Sequence, residues 1–244
     1  MNVPATMNTP DAASGPRDDF AARLERLEAL DAIRQLACKY ALAIDVRDLD
    51  AVVSLYVPDV KAGGGRSGRA ALREVFDRVL RGFTTTSHQV QNHVIDFDDA
   101  THAQGLVTCR CEHEVATPAG PKWVIVQNLY HDRYERLDGA WYFRARVQNR
   151  LYGTASDDPP VGPLKDRWPG TAPAPAPFHD PFDAWREFWG EQPVPPDLPP
   201  WSAQANFVTR LRRSPKLPAL ARHIAQAHAH APASAPAPTV ERED

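Results

Sequence analysis

The sequence predicts an α+β domain, a bent antiparallel sheet with three N-terminal helices packed on one face, followed by a proline-rich C-terminal extension. Three observations carry this expectation. Ahead of the proline-rich segment, helical periodicity is confined to the part of the chain before residue 82 and period-two alternation takes over from His88 to Tyr152; 18 of the 24 prolines lie after residue 158. The 43% hydrophobic content is enough to build a core for a domain of the intervening length. The expected divisions are a disordered leader over 1–18, a compact domain over 19–153, a proline-rich extension with short amphipathic helices over 154–230, and a disordered tail over 231–244.

The first helix is expected from about Asp19 to Ile44, because Leu24, Leu27, Leu30, Ile33, Leu36 and Tyr40 recur at three- and four-residue spacing and form one apolar stripe. Asp48 then caps a short second helix over DLDAVVSLY, which must stop before Pro58. Lys61 to Gly68, with its Gly63-Gly64-Gly65 run, reads as a loop or a bulged strand. A third helix over about Arg69 to Arg81 turns Leu72, Val75, Phe76, Val79 and Leu80 inward and ends at Gly82.

Strands follow at His88–Phe97 and Ala103–Val115. In the second of these the odd positions from Ala103 to Val115 make one face, while Gln104, Thr108, Arg110, Glu112 and Glu114 make the other, the pattern of a sheet with one solvated side. Trp123 to Leu137 is the third strand. Asp138-Gly139 is a two-residue hairpin turn, and Trp141 to Tyr152 returns antiparallel. Beyond it TAPAPAP reads as a polyproline spacer, FDAWREFWG as a short amphipathic helix, and Ala203 to Leu211 and Leu217 to Ala229 as two more. Aromatic residues on such an extension are expected to dock, on the chain's own domain, on a neighbouring subunit or on a different protein.

A net charge of −3 gives no electrostatic basis for binding nucleic acid or an anionic membrane surface. No apolar run approaches the roughly 20 residues of a transmembrane helix, and the N-terminus lacks the basic and apolar regions of a secretory signal. The three cysteines Cys38, Cys109 and Cys111 form no disulfide framework, which suits a reducing cytoplasmic setting. Cys109 and Cys111 share a strand face and read as buried small side chains, since no second ligand pair has metal-site spacing. No glycine-rich nucleotide signature and no nucleophile elbow occur, so the expected chemistry uses neither cofactor nor metal.

The chemically suggestive residues are Asp45, at the end of the first helix, and His88, at the start of the first long strand. A carboxylate beside an imidazole fixes its tautomer and raises its basicity near neutral pH, which makes a general acid/base. Each also has a plainer reading: Asp45 as a helix-end or turn residue, His88 as a structural histidine. Tyr40 on the apolar stripe suits the core as well as a pocket, Arg150 suits a surface ion pair as well as an anion site, and His113 suits a pocket wall as well as a catalytic partner. Tyr56, His113 and Asn128 are the candidate pocket-lining residues. His93, His102 and His131 read as surface residues.

The phrases LDAIRQLACKYALAIDVRDLDAVVSLY and DRYERLDGAWYF, in this order of helices, sheet and DG turn, resemble the SnoaL-like branch of the nuclear transport factor 2 superfamily over about Leu24 to Gly153. Within it the chain is similar to the bacterial bile-acid 7-alpha-dehydratases, whose Tyr and Asp five residues apart at the end of helix one fall on Tyr40 and Asp45. Their catalytic His falls on His88 in TSHQVQN, and their Arg after the DG-x-W turn falls on Arg150. Scytalone dehydratase and hexachlorocyclohexane dehydrochlorinase also look like this chain. A second histidine of the former corresponds to His113, but that enzyme has Tyr directly before its Asp where this chain has Ile44.

The resemblance implies a cone-like curved antiparallel sheet whose three N-terminal helices enclose an apolar pocket, and a cofactor-independent hydro-lyase acting on a hydroxylated polycyclic or alicyclic substrate such as a steroid or bile-acid derivative, with Tyr40, Asp45, His88 and Arg150 as its machinery. It also implies a hydrophobic small-molecule partner and a homo-oligomer, dimer or trimer. The same base would serve an isomerase, cyclase or dehydrohalogenase. A ligand-binding or scaffolding module with structural Asp and His is the remaining alternative.

Overall fold

The computed structural model describes residues 16–176 together with residues 179, 182, 185, 188 and 189. The leader, most of the FDAWREFWG segment and the two later helices expected from sequence lie outside the described residues. Three helices come first: α1 (Pro16–Asp45), α2 (Leu49–Ser54) and α3 (Arg69–Leu80), with a small hairpin of β1 (Lys61–Gly63) and β2 (Arg66–Ser67) before α3. The second sheet contains β3 (Thr85–Phe97), β4 (His102–Val115), β5 (Lys122–Leu137), β6 (Ala140–Ala155) and β7 (Asp166–Arg167), in that spatial order. Pairing is antiparallel from β3 to β6, whereas β7 joins β6 in parallel.

Register places two sets of side chains on opposite faces. On the helix-covered, concave face, Thr86 faces His113, His88 faces Cys111 and Val90 faces Cys109 across β3–β4. Cys111 in turn faces Val126, and Cys109 faces Asn128, across β4–β5. The odd positions of β4 from Ala103 to Val115 are all buried, as their alternation predicts. The β5–β6 turn is the expected two-residue one, with Asp138 and Gly139 both left-handed at φ 49° and 81°. Gly105 leaves room for the Tyr134 ring, which would lie 3.0 Å from a Cβ placed there.

The structure departs from the sequence reading at several points. Helix α1 begins at Pro16, and its stripe is only partly used: Ile33, Leu36 and Ile44 are buried, while Leu24 and Leu27 are exposed. A 30-residue helix is about 45 Å long, and its contact with the sheet runs from Glu25, paired with Arg136, and Arg26, over the Phe97 ring, to Asp45 at its C-terminal end. Strand β3 starts three residues before the expected point, because Thr85 to Ser87 pair with Glu112 to Glu114; His88 is therefore inside the strand. The outer face of the sheet is not uniformly solvated. Leu106, Leu129 and Leu151 form a buried cluster there, with Phe182 of the extension packed against it. Phe182 also stacks on His131, which is 3% exposed and so is not the surface residue expected. His93 is half-buried and hydrogen-bonded to Tyr134. His102 is exposed. Among the described residues, no helix is long and apolar enough to cross a membrane.

Candidate active site

Helix α1 ends in a Schellman turn: the Asp48 N–H donates to the Ala43 carbonyl (3.0 Å) and the Arg47 N–H to the Ile44 carbonyl (3.2 Å). The turn presents Asp45 to β3. The carboxylate receives three hydrogen bonds. His88 Nδ1 lies 2.7 Å from Oδ1, the His88 backbone N–H donates to Oδ2 at 2.8 Å, and the Thr86 hydroxyl donates to Oδ1 at 2.9 Å. Burial works against the charge on Asp45, but these donors outweigh it and hold the carboxyl below its ordinary value. The carboxylate accepts, so His88 Nδ1 carries the proton and Nε2 carries the lone pair. The His88 side chain is 8% exposed.

His113 stands beside this pair. Its ring lies perpendicular to that of His88, centroids 5.7 Å apart, and 4.6 Å from Phe83. Burial, with the nearby charge of His88, pushes its imidazole down to about 3, so it is neutral at physiological pH. Its Nδ1 is buried with no hydrogen-bond partner. Asn128 shares this face; its Nδ2 donates to the Cys111 sulfur (3.2 Å) and its Oδ1 accepts from Gln148 (2.8 Å). The Cys109 and Cys111 sulfurs are 3.6 Å apart, and burial together with that contact pushes the Cys111 thiol up.

Tyr40 lies deeper, its ring edge-on to Phe76, Tyr130 and Phe143 at 6.0–6.3 Å. Burial raises its phenol well above the ordinary range, so it is a neutral donor. Tyr56 is core rather than exposed pocket wall. It is 4% exposed, with its ring on Phe143 at 5.1 Å and Phe76 at 6.3 Å. Arg150 is not an isolated charge. It faces Asn128 across the sheet, but its guanidinium pairs with Asp166 of β7 and lies 5.6 Å from the Trp168 ring. Trp168 packs against the buried cluster of Cys109, Cys111 and Val126, edge-on to Phe83 at 6.4 Å. The segment after β6 therefore supplies part of the wall.

The charge deepest in this face is Arg146, which sequence reasoning passed over. It forks onto Asp132 at 2.9 and 3.0 Å and lies 4.3–4.6 Å from the centres of the Tyr40, Tyr130 and Phe143 rings. Burial opposes its charge and Asp132 more than offsets that, keeping the guanidinium protonated. A position near-mirrored about the Asp138-Gly139 turn was the available signal. Two surface grooves lie elsewhere, one between α1 and the β5–β6 turn and one beside the β4–β5 turn, and neither includes Asp45 or His88.

Residues 25–147 match the family model of the SnoaL-like domain. No functionally curated protein matches the sequence. Among solved structures, the chain is similar to the hexachlorocyclohexane dehydrochlorinase LinA, at 24% identity over 55% of this chain and 92% of that one, with a TM-score of 0.50. LinA-type3 from Novosphingobium barchaimii LL02 is 22% identical over 55% and 93%, TM-score 0.49. A protein of Novosphingobium aromaticivorans DSM 12444, provisionally named a scytalone dehydratase, is 22% identical over 61% and 97%, TM-score 0.47. At these identities the likeness is one of fold.

Proposed function

Since this chain belongs to the SnoaL-like domain family, we propose that it is a cofactor-independent lyase that eliminates water from a hydroxylated polycyclic or alicyclic substrate, steroid and bile-acid derivatives being the class to test first. The observation that carries the reading is the Asp45–His88 contact of 2.7 Å on the concave face of the sheet. In this scheme His88 Nε2 takes a proton from a carbon acidified by a neighbouring carbonyl, and Asp45 stabilises the imidazolium that forms. The electron pair left on carbon forms the double bond as the hydroxyl departs. The imidazolium returns its proton to that hydroxyl, so water leaves and His88 is restored. Tyr40, kept neutral, is suited to donate to a substrate oxygen, and His113 and Asn128 supply pocket wall.

The test is turnover of a 7-hydroxy-3-oxo-4-ene steroid, whose enone acidifies the C6–H beside the C7 hydroxyl, without added cofactor, followed by mass spectrometry. Loss of one water is expected, with His88→Ala and Asp45→Asn each slowing it by about 10²–10⁴-fold, the usual worth of general acid/base catalysis. Full activity in both variants would refute the scheme. Pairing of Arg146 and Arg150 with Asp132 and Asp166 favours one second reading. Neither arginine presents an uncompensated charge to a leaving group, which suits isomerisation by the same base; product of unchanged mass would select it.

A further inference from the structure

Arg47 is at the C′ position of the Schellman turn, with φ 62°. That left-handed conformation belongs to glycine, and a side chain there costs on the order of 1 kcal/mol. Arg47 nevertheless uses its side chain fully. One terminal nitrogen donates to the Ile44 carbonyl (2.8 Å) and to the Thr86 hydroxyl (2.6 Å), and the other to the Phe83 carbonyl (3.3 Å). Thr86 has one hydroxyl hydrogen. Because Arg47 occupies the oxygen as a donor, that hydrogen is directed to Asp45 Oδ1, 2.9 Å away. Thr86 is 6% exposed, so water does not readily replace either partner.

We infer that Arg47 and Thr86 are positioning residues for the Asp45–His88 pair. The relay Arg47–Thr86–Asp45 fixes the rotation of the carboxylate. Oδ1 is then aimed at the imidazole Nδ1–H while Oδ2 takes the His88 amide, and His88 is held in the tautomer with its lone pair on Nε2. A strained backbone retained at a helix end is accounted for by this relay, since glycine would relieve the strain but could not make it. The inference rests on reading Asp45 and His88 as the acid/base pair for its catalytic consequence, but not for its structural one. The charged and titratable groups facing Asp45 are His88 from β3, Arg47 from the turn, and Cys109 and His113 from β4.

The experiment is a carboxyl carbon and imidazole nitrogen NMR titration of the full-length protein, needing no substrate, on wild type, Thr86→Val, Thr86→Ser and Arg47→Gly. Thr86→Val keeps the shape and removes the donor. It should raise the titration midpoint of Asp45 and admit the second His88 tautomer; Arg47→Gly should do the same, and Thr86→Ser should restore wild-type behaviour. If turnover is found, Thr86→Val should lower kcat about tenfold with KM unchanged, the worth of one hydrogen bond to a charged group. An Asp45 midpoint and His88 tautomer unmoved in Thr86→Val would overturn the inference, as would a Thr86→Ser variant that behaves like Thr86→Val. Should His88→Ala and Asp45→Asn leave turnover intact while Thr86→Val still moves the Asp45 titration, the lyase reading fails and the positioning relay stands.

Discussion

Replacing Arg146 with Met tests how much of this fold depends on one interior ion pair. The side chains of Arg146 and Asp132 are 4% and 0% exposed, and the guanidinium makes two hydrogen bonds to the carboxylate. Met retains most of the volume between the rings of Tyr40, Tyr130 and Phe143 but none of the charge. Asp132 would then keep the Tyr134 hydroxyl, at 2.8 Å, as its side-chain donor. Breaking a buried pair from one side costs about 3–5 kcal/mol. At roughly 2–4 °C per kcal/mol for a domain of this size, melting should fall by about 6–20 °C.

The deficit should also depend on pH, because burial already raises the Asp132 carboxyl above its ordinary value against the opposing charge of Arg146, and removing Arg146 takes that opposition away. A raised acid favours the folded state below that pKa, and the advantage is lost as pH rises through it. The variant is therefore expected to be least impaired near pH 4.5 and most impaired near pH 7.5, as read by urea unfolding at both. Adding Asp132→Leu should recover much of the loss, since the unpaired charge is then gone. A single-variant cost below about 1 kcal/mol at pH 7.5, or a deficit that does not change with pH, would refute the reasoning.

Two further outcomes follow from the site. His113 is held near pKa 3 while unfolded histidine titrates near 6.5; the unfolded chain therefore binds the proton first, and stability present above pH 6.5 drains away as pH falls toward 3. The slope from this residue is about 1.4 kcal/mol per pH unit, with a smaller part from His93, held near 4. His113→Gln should flatten the urea-derived stability profile between pH 6 and 4, and an unaltered slope would contradict the burial argument. Trp168→Ala should uncover the concave face between Phe83 and Gly153 and tighten binding of a bulky steroid about tenfold by calorimetry, a gain of roughly 1.4 kcal/mol. An unchanged Kd would mean that Trp168 packs beside the ligand space rather than in it.

Local patterns were legible where a residue's environment is set by its neighbours in sequence. The alternation from Ala103 to Val115 reports a strand with one buried face, and Asp138-Gly139 reports its own turn. Contacts made across the fold left weaker traces. Leu24 and Leu27 continue the helical period of Ile33 and Leu36, yet both are exposed, Leu27 on a groove beside the β5–β6 turn. Nothing periodic in the proline-rich segment announces that Asp166 will pair with β6, that Trp168 will lie on the cysteine face, or that Phe182 will cover the outer leucines. Arg150, brought forward by resemblance, reached the concave face but with its charge taken up by Asp166. Counting outward from the turn pairs Asp132 with Ala145; the register shift at Arg133/Tyr134 moves the partner on by one residue to Arg146, and that single residue hides the partnership.

Independently of any resemblance, departures from local preference converge on one neighbourhood. A carboxylate at the C-terminal end of a helix is disfavoured by the dipole by about 0.3–1 kcal/mol, and Asp45 sits there. Two residues on, Arg47 occupies a backbone conformation that glycine would adopt without strain. Beside them His113 buries a ring nitrogen with no partner, against a usual cost of about 1–3 kcal/mol, and Cys109 and Cys111 place two thiols in contact one strand away. On the same sheet Arg146 is matched to Asp132 and Tyr134 to both Asp132 and His93, while Asn149 Nδ2 and Asp166 Oδ1 are buried without a partner farther from the pair. Sequences that specify a fold agree with local rules except where another requirement competes. The coincidence of a helix-end carboxylate, a left-handed arginine and an unpartnered imidazole around the Asp45–His88 contact is a reason to look for chemistry there that does not depend on which relatives the chain has.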